Sequence, residues 1–471
     1  MTDRTDNTTD SIADAAPVER AEVATSLGHE CRLQGILAMP LVAASLAELG
    51  MWYTDSIVVG RLGSVELAAV SLSGMLIWEI VLAGVAVISM VAVIVGKAHG
   101  QGDAVASGRA LQQGMWVATA LAPVGMVVAW FLMDALALTN QDPAVIALGG
   151  EYVRAMMWAI PALLWYAVLQ HFLTGLSRPM VVTSTVWLAL PVNLALNYGL
   201  VFGEFGLPAL GVAGAGYASS IVGWLMFLSL AAYLAMSRAI RPYRIFRGLF
   251  EFHGETWRQI WRLGLPAAGT WVIYGSVFQM ITIFMGMFGA VALAANHIAV
   301  SVLAFQSVLA EALGEAASVR IAQETGAGRP AAATRAGWLA IVFGGALGLP
   351  IAACLWFNPD ILAAVFLNVE DPANGEALAL AGILAQIGAV MVVFEALEII
   401  TGRCLRGIHD TYVPMWIAAI GAWGLSLPAA LVFAFVLDFG PSGLWYGMTL
   451  GAVATTVLLI GRWRRKRRST Q

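Results

Sequence analysis

Residues 55–69 read DSIVVGRLGSVELAA, and residues 281–295 read ITIFMGMFGAVALAA. The two stretches share both glycines and the tripeptide Leu-Ala-Ala at an offset of 226 residues. The same offset relates further residues on either side without a gap: Pro40 to Pro266, Gly100 to Gly326, Gly102 to Gly328 and Arg109 to Arg335. An internal repeat of this length, in a strongly apolar chain, is typical of a two-lobed membrane transporter with its site between the lobes.

The composition is that of a chain embedded in a membrane. Of its 471 residues, 60% are hydrophobic and 11% are charged, with a mean hydropathy of +0.80, whereas soluble domains carry about 25% charged residues. Residues 115–132 and 211–236 contain no charged side chain, and about 20 apolar residues suffice to cross a bilayer. Because a span in lipid must satisfy its own backbone hydrogen bonds, we expect an all-α membrane protein.

Twelve apolar segments predict twelve transmembrane helices in two sets of six. The first set lies near residues 37–60, 67–96, 110–137, 152–175, 180–203 and 210–236. The second set lies near residues 264–288, 293–320, 335–357, 376–402, 413–437 and 442–461. An even number of spans in each half gives both halves the same orientation. We therefore expect two six-helix lobes related by a pseudo-two-fold axis along the membrane normal.

The spans divide the chain into five parts. We predict an N-lobe over residues 37–236 and a C-lobe over 263–461. The remaining segments are predicted as a disordered tail (1–36), a basic linker (237–262) and a basic C-terminal tail (462–471). The basic tail is suited to contact anionic lipid, or it serves as an ordinary stop signal for the last helix.

The basic residues predict the orientation. Of the 25 Lys and Arg residues, all but Arg61 and Arg154 fall on the side that holds both termini and the linker. By the positive-inside rule that side is cytoplasmic. We expect a multi-pass protein of the plasma (inner) membrane with both termini in the cytoplasm.

Several function classes are disfavoured. The three cysteines are scattered, and their spacing fits neither a disulfide framework nor a metal site. Hydrolase, metalloprotease and phosphate-binding-loop motifs are absent from the sequence. We therefore expect neither an enzyme nor a cofactor, and an ion gradient rather than ATP as the energy source. The net charge of −4 gives no sign of a nucleic-acid partner, and we expect a monomer.

Acidic residues inside the predicted helices are the main candidates for function, because a charge in hydrocarbon costs several kcal/mol. They are Glu48 and Asp55 in helix 1, Glu79 in helix 2, Glu311 and Glu315 in helix 8, and Glu395 and Glu398 in helix 10. Pairs spaced by three, four or seven residues share a helix face. Such a pair can share one proton and titrate as a unit, or bind Na⁺. The alternative for each acid is a structural hydrogen bond between helices.

Helix 5 adds two amides, Asn193 and Asn197, which are four residues apart and share a face. An asparagine can bridge a carboxylic acid or a cation, or it can hold two helices together. Both interpretations stay open. The histidines within spans, His171 and His297, are interpreted as hydrogen-bonded packing.

Three motifs resemble those of the multidrug and toxic compound extrusion (MATE) family. Residues 55–69 are similar to its signature between helices 1 and 2. Residues 203–218, with Gly206-Leu-Pro-Ala-Leu-Gly211, are similar to its link between helices 5 and 6. Leu405-Arg406-Gly407 resembles the motif after helix 10. The resemblance covers about residues 34–461 and implies an antiporter that exports organic cations in exchange for H⁺ or Na⁺ through a V-shaped cavity.

The resemblance also implies roles for particular residues. Asp55 matches the helix 1 acid that is protonated in the N-lobe, and Glu395 matches the helix 10 acid. Asn193 and Asn197 match the paired asparagines of the NorM-like branch. That branch has a glutamate eight residues after the helix 7 proline, where this chain has Tyr274.

The departure at Tyr274 leaves the C-lobe cation site incomplete. Glu311 and Glu315 on the adjacent helix are our hypothesis for the missing charge. The choice between H⁺ and Na⁺ stays open, with H⁺ favoured.

The leading interpretation is a secondary active exporter of cationic amphipathic compounds. Glu79 and Tyr274 are assigned to the substrate or support set with the two asparagines, and Trp52, Trp78 and Tyr274 offer aromatic faces to a cation. One alternative is a flippase of lipid-linked precursors from the same superfamily, which would favour an arginine-rich cavity. Another is an intramembrane lipid-modifying enzyme, which would need a paired catalytic motif that the sequence lacks.

Overall fold

The structure is a computed structural model, and it describes residues 27–139, 141–248, 251–359 and 375–470. The spans that we number α1–α12 are Leu27–Gly60, Ser64–Gly100, Ala104–Leu136, Pro143–Met156 continued by Ala159–Gly175, Pro179–Phe202, Val212–Met236, Gly254–Met287, Ala290–Gly326, Pro330–Phe357, Gly375–Gly407, Tyr412–Val436 and Pro441–Thr470. Over these described ranges every regular element is helical.

The predicted number of spans is confirmed. Within the described part of the chain, eleven helices are long and apolar enough to cross a membrane, and α4 makes the twelfth as a bent pair. The second half of α4 is bent by 48° from the axis of the first half. Met157 and Trp158 lie at this bend, between the bounds of the two halves. The all-α fold in two six-helix lobes agrees with the sequence repeat.

Each lobe has its own apolar core. One large cluster of buried residues is formed mainly by α1–α6, and two others are formed by α7–α12. A small fourth cluster joins the lobes, with Leu37, Ala38 and Leu41 of α1 packed against Ala312 and Ala316 of α8. The buried side chains thus divide mainly by lobe, and Ile260, Leu263 and Ala322 of α7 and α8 belong to the first cluster.

The predicted non-helical segments are shorter in the structure. Residues 1–26 lie outside the described residues, but 27–36, predicted as part of a disordered tail, are the first turns of α1. The prediction was wrong there because this polar stretch has partners in the C-lobe. The Glu30 carboxylate pairs with Arg320 at 2.8 Å, and the Gln34 amide donates to the carbonyl of Ala336 at 2.7 Å.

The predicted linker (237–262) and the predicted C-terminal tail (462–471) are also partly helical in the structure. Residues 254–262 of the predicted linker belong to α7, which buries Ile260 fully. Residues 462–470 of the predicted tail belong to α12, because Trp463 is buried and Arg462 binds Asp410 at 2.9 Å. Polar composition placed the predicted ends of these two spans near residues 264 and 461, and tertiary contacts extend both helices beyond them.

We use the term basic end for the end of the bundle at which α1 begins, α12 ends and the arginine-rich segment between α6 and α7 lies. The lobes meet mainly through α1, α2 and α3 on one side and α7 and α8 on the other. Toward the opposite end, α1 and α7 expose large apolar side chains. Tyr53 and Ile57 on α1 are more than half exposed, as are Ile283 and Met287 on α7. Near the basic end, Glu30, Gln34 and Leu37 of α1 pack against the C-lobe.

Candidate functional site

Asp55 binds three side chains inside the N-lobe. Its Oδ1 accepts hydrogen bonds from the amides of Asn197 at 2.7 Å and Asn193 at 3.3 Å. Its Oδ2 accepts a hydrogen bond from the hydroxyl of Ser219 at 2.9 Å. The structure thus brings together the acid and the two asparagines that the sequence singled out. The carboxylate lies among polar partners from α5 and α6 and does not project into lipid.

The two amides that hold Asp55 also leave acceptors free. Asn193 and Asn197 are almost fully buried, at 2% and 0% exposure. The Oδ1 atom of each is buried and has no hydrogen-bond partner among the residues that the structure describes. A carboxylate with neighbouring amide oxygens is the kind of ligand set that hard cations prefer. A protonated carboxyl can also donate to such an oxygen.

Glu48 lies two turns before Asp55 on α1, at a separate place. Its charge acts on the hydroxyl of Tyr166 in α4, which is buried and unpartnered in the described ranges. The offset of 226 residues maps Glu48 onto Tyr274. In the C-lobe, Tyr274 of α7 lies within hydrogen-bonding reach of Glu398 in α10. The acid and the tyrosine have therefore exchanged helices between the lobes.

Glu395 is the second buried acid with a lobe partner. Its Oε1 accepts a hydrogen bond from the hydroxyl of Ser307 on α8 at 2.8 Å. Its Oε2 is buried and lacks a partner within the described segments. Glu398, one turn further on, is 8% exposed. The C-lobe thus holds two neighbouring carboxyl groups, with Tyr274 and Ser307 as their hydroxyl donors.

Glu311 and Glu315 both contact one partly buried arginine. Arg403 of α10 donates to both carboxylates, to Glu315 at 2.6 Å. Glu315 also lies 3.4 Å from His171 of α4, which belongs to the N-lobe. Arg403 thus offsets one of the two negative charges of the pair, and Glu315 takes part in a contact between the lobes. This geometry favours a structural role, and the hypothesis that the pair replaces the acid missing at Tyr274 stays a prediction.

Glu79 forms another contact between the lobes. Its carboxylate on α2 accepts a hydrogen bond from the indole of Trp271 on α7 at 3.1 Å. Both side chains are exposed on this face. Trp52, on α1, is 37% exposed. The structure places Glu79 apart from the hydrogen bonds of Asp55 and Glu395, at the seam between α2 and α7.

The basic end is closed by backbone contacts between α2 and α8. Gly100 lies directly against the carbonyl of Gln323, and Gly326 lies against the carbonyl of Lys97. The amide of Gln323 donates at 2.9 Å to the carbonyl of Gly175 in the N-lobe. These contacts leave no room for a passage between α2 and α8 at this level.

Sequence reasoning missed three residues of the site. Ser219 and Ser307 bind the two main acids, and Arg403 pairs with both Glu311 and Glu315. Serines in membrane helices give a weak signal because many of them bond their own helix backbone. The ion pair between Arg403 and Glu315 could not be predicted, because the predicted helix 10 ends at residue 402.

The architecture and the site define a class of protein: a membrane transporter of two repeated lobes with buried carboxyl groups in each. The sequence matches the MatE family over residues 40–199 and 266–432, more than half of its length, and the chain belongs to this family of transporters, which are not enzymes.

Relatives of known name agree. The chain is 32% identical to a probable multidrug resistance protein NorM of Mesorhizobium japonicum, over 93% of this chain and 95% of the relative. It is 33% identical to the protein of the same name from Pseudomonas aeruginosa, over 92% and 89% of the two chains.

Solved structures share the fold. A eukaryotic MATE transporter superposes with a TM-score of 0.83 at 22% identity, covering 94% of this chain and 98% of that one. A MATE transporter of Vibrio cholerae in its bent form gives a TM-score of 0.80 at 18% identity, with the same coverage of both chains.

Proposed function

We propose that this protein is a secondary active antiporter that exports cationic amphipathic compounds in exchange for H⁺ or Na⁺. The observation that carries the proposal is the Asp55 site, a carboxylate inside a membrane helix with two unpaired amide oxygens beside it. The relatives named as multidrug resistance proteins support efflux of small organic compounds. We further propose that the protein acts as a monomer in the bacterial plasma membrane, with its basic end facing the cytoplasm.

Asp55 is the primary coupling group in this proposal. Asn193, Asn197 and Ser219 hold its carboxylate when it is charged. When a proton or Na⁺ arrives, a 180° rotation of either amide would turn its unpaired oxygen toward the bound proton or ion. The bound cation thus changes the local charge without leaving an unpaired group.

Glu395 and Glu398 form the C-lobe counterpart. Their neighbours Ser307 and Tyr274 are hydroxyl donors, and the unpartnered Oε2 of Glu395 is available to a cation. Glu48, beside Tyr166, is the second carboxyl of the N-lobe. We assign these three acids to cation coupling after Asp55.

Alternating access follows from the separate cores and the contacts at the basic end. In this conformation α2 and α8 meet there, while α1 and α7 expose apolar side chains toward the other end. Coupling requires that the cation and the cargo favour different arrangements of the lobes. We propose that cargo is released from this conformation and is taken up after the contacts at the basic end separate.

Glu79 and the exposed aromatic side chains are the proposed cargo contacts. Glu79 and Trp271 together offer a carboxylate and an indole face, which suit an amphipathic cation. The flippase alternative is not favoured, because Arg403 is bound by two carboxylates and is not free for a pyrophosphate group.

Efflux of a fluorescent cation such as ethidium tests the proposal. Proteoliposomes carrying the purified protein would receive either a pH gradient or a Na⁺ gradient, without ATP. We expect efflux driven by one of the two gradients and abolished by its dissipation. Transport that needs ATP, or that ignores both gradients, would refute antiport.

A further inference from the structure

The segment that links α6 to α7 carries an unusual group of arginines. Arg241, Arg244 and Arg247 line a cavity of about 400 Å³ at the basic end, together with apolar residues. All three are exposed. Within the ranges that the structure describes, none of the three has an ion-pair partner. Glu251, the nearest acid along the chain, packs against Gly248 outside the cavity.

The backbone of the segment between α6 and α7 is held by hydrogen bonds from α3. Gln112 of α3 is 3% exposed, and its amide donates to the carbonyls of Ile245 at 3.1 Å and Arg247 at 2.8 Å. Ile240 and Ile245 are buried at 1% and 4% exposure. With carbonyls and isoleucines turned inward, the arginine side chains are presented outward on a fixed backbone.

A close approach to α3 adds to this constraint. Gly108 lies against the carbonyl of Tyr243, so that a Cβ at position 108 would be 1.9 Å from that oxygen. Arg244 itself adopts a left-handed backbone with φ of 48°. The segment is therefore a preformed structure rather than a flexible run of charge.

The walls of the cavity identify the kind of ligand. Leu234 and Ala235, at the end of a membrane span, form one wall, and the exposed Phe246 forms another. Met236, the last residue of α6, is 80% exposed. Three positive charges next to apolar surface at the edge of a membrane span suit a molecule with an anionic head and apolar chains.

We infer that this cavity binds the phosphate headgroup of an anionic phospholipid, with the acyl chains along the end of α6. Guanidinium groups bind phosphate oxygens in a bidentate manner and keep their charge at any physiological pH. Basic pockets at the ends of membrane helices are suited to such headgroups. The inference does not depend on antiport, so the failure of either proposal leaves the other standing.

Native mass spectrometry of the purified full-length protein tests the inference. Phosphatidylglycerol and phosphatidylcholine of equal chain length would be titrated against the wild type. We expect retained phosphatidylglycerol adducts and few phosphatidylcholine adducts. Equal retention of the two lipids would overturn the proposal.

Matched variants distinguish a specific lipid-binding site from diffuse electrostatic attraction. The triple variant Arg241→Gln, Arg244→Gln and Arg247→Gln should lose affinity for phosphatidylglycerol about a hundredfold. A control with the same loss of charge, Arg465→Gln, Arg467→Gln and Arg468→Gln, should retain it. Equal losses in the two variants would mean diffuse electrostatics and would refute the site.

Two further measurements complete the test. Gln112→Leu keeps every charge but removes the support of the segment, and we expect it to weaken phosphatidylglycerol binding several-fold; unchanged binding would contradict a preformed site. Inorganic phosphate should compete only weakly, since it lacks the acyl chains. Displacement of the lipid by equimolar inorganic phosphate would identify a free-phosphate site and overturn the assignment to lipid.

Discussion

Gly100 and Gly326 occupy equivalent positions in the two lobes, and each lies against a backbone carbonyl of the other lobe. A Cβ on Gly100 would be 2.0 Å from the oxygen of Gln323, and a Cβ on Gly326 would be 2.0 Å from the oxygen of Lys97. The contact thus follows the internal symmetry of the chain. The two helices can approach this closely only because both positions lack a side chain.

We predict that Gly100→Ala or Gly326→Ala separates the lobes at the basic end. A methyl group cannot fit at 2.0 Å from a carbonyl oxygen, and forcing extra volume into a packed contact costs about 1–3 kcal/mol. Spin labels at the exposed, repeat-related positions Val105 and Ala331, in a background without native cysteines, report the distance between the lobes. We expect the long-distance population to grow.

The control for this measurement is Gly461→Ala. Gly461 also lies at the basic end, but a Cβ there meets no atom within 4 Å. It should leave the distance distribution as in the wild type. An unchanged distribution in the Gly100 and Gly326 variants would contradict the role of this crossing.

Asp55→Asn should abolish coupled efflux while the protein still folds and inserts. The amide cannot exchange a proton or carry the charge that a cation neutralises, although it keeps the size of the side chain. Efflux from proteoliposomes under the driving gradient measures the loss. Asp134→Asn, at an exposed acid of α3, is the matched control. Normal gradient-driven efflux by the Asp55 variant would remove Asp55 from the coupling site.

Ser307→Ala tests the C-lobe site. The substitution removes the hydroxyl that donates to Glu395 at 2.8 Å, and a hydrogen bond to a charged group contributes about 1.5–3 kcal/mol. We expect the pH profile of efflux to shift and the melting temperature to fall, because this hydrogen bond is lost. Ser301→Ala is the control, since the Ser301 hydroxyl donates to the backbone carbonyl of His297 in its own helix. A pH profile identical to the wild type would argue against Glu395 as a coupling group.

The roles of Glu311 and Glu315 can be separated by three substitutions. Glu311→Gln with Glu315→Gln leaves the partly buried Arg403 without either carboxylate partner, and this should lower stability by at most about 3–5 kcal/mol. Adding Arg403→Met removes the stranded charge and should restore both the melting temperature and efflux if the acids are structural. Restored stability without efflux would instead support the hypothesis that they replace the acid missing at Tyr274.

His409 predicts a pH-dependent stability. Burial, with a smaller effect of the Lys97 charge, lowers the pKa of His409 to about 4. Because this pKa lies below the unfolded value of about 6.5, the unfolded chain binds the proton more tightly. The stabilisation is complete above pH 6.5 and is lost as the pH falls toward 4, by about 3 kcal/mol in all.

The measurement is the melting temperature of the wild type and His409→Asn between pH 4 and 8. Asparagine suits the position because His409 has φ of 62°, a left-handed backbone that asparagine tolerates. The variant should lose less stability on acidification than the wild type. Parallel curves would show that His409 does not contribute.

The sequence predicted the fold well because its internal repeat indicates two similar lobes and its apolar segments indicate the membrane spans. Asp55, Asn193 and Asn197 were also accessible, since polar groups in an apolar helix stand out. Ser219 was not, because a serine in a membrane helix commonly bonds its own backbone, as Ser184 and Ser229 do here at 2.9 and 2.7 Å.

The ends of helices limited the prediction in another way. Charge at a span end predicts a tail or link, so the sequence places Glu30 in the tail and Arg403 in a cytoplasmic link. In the structure α1 and α10 continue through both residues, and each pairs with an opposite charge in α8. Such pairs depend on which helices become neighbours, which the local sequence does not specify.

The exchange of acid and tyrosine between the lobes bears on how relatives of this chain should be compared. Glu48 faces Tyr166 across the first and fourth helices of one lobe, and Tyr274 faces Glu398 across the same two helices of the other. A column-by-column alignment scores Tyr274 as a loss, although a carboxyl group still occupies that space from the opposite helix. The two lobes of a duplicated chain such as this one are therefore better compared by the groups that fill the space between facing helices than by single aligned positions.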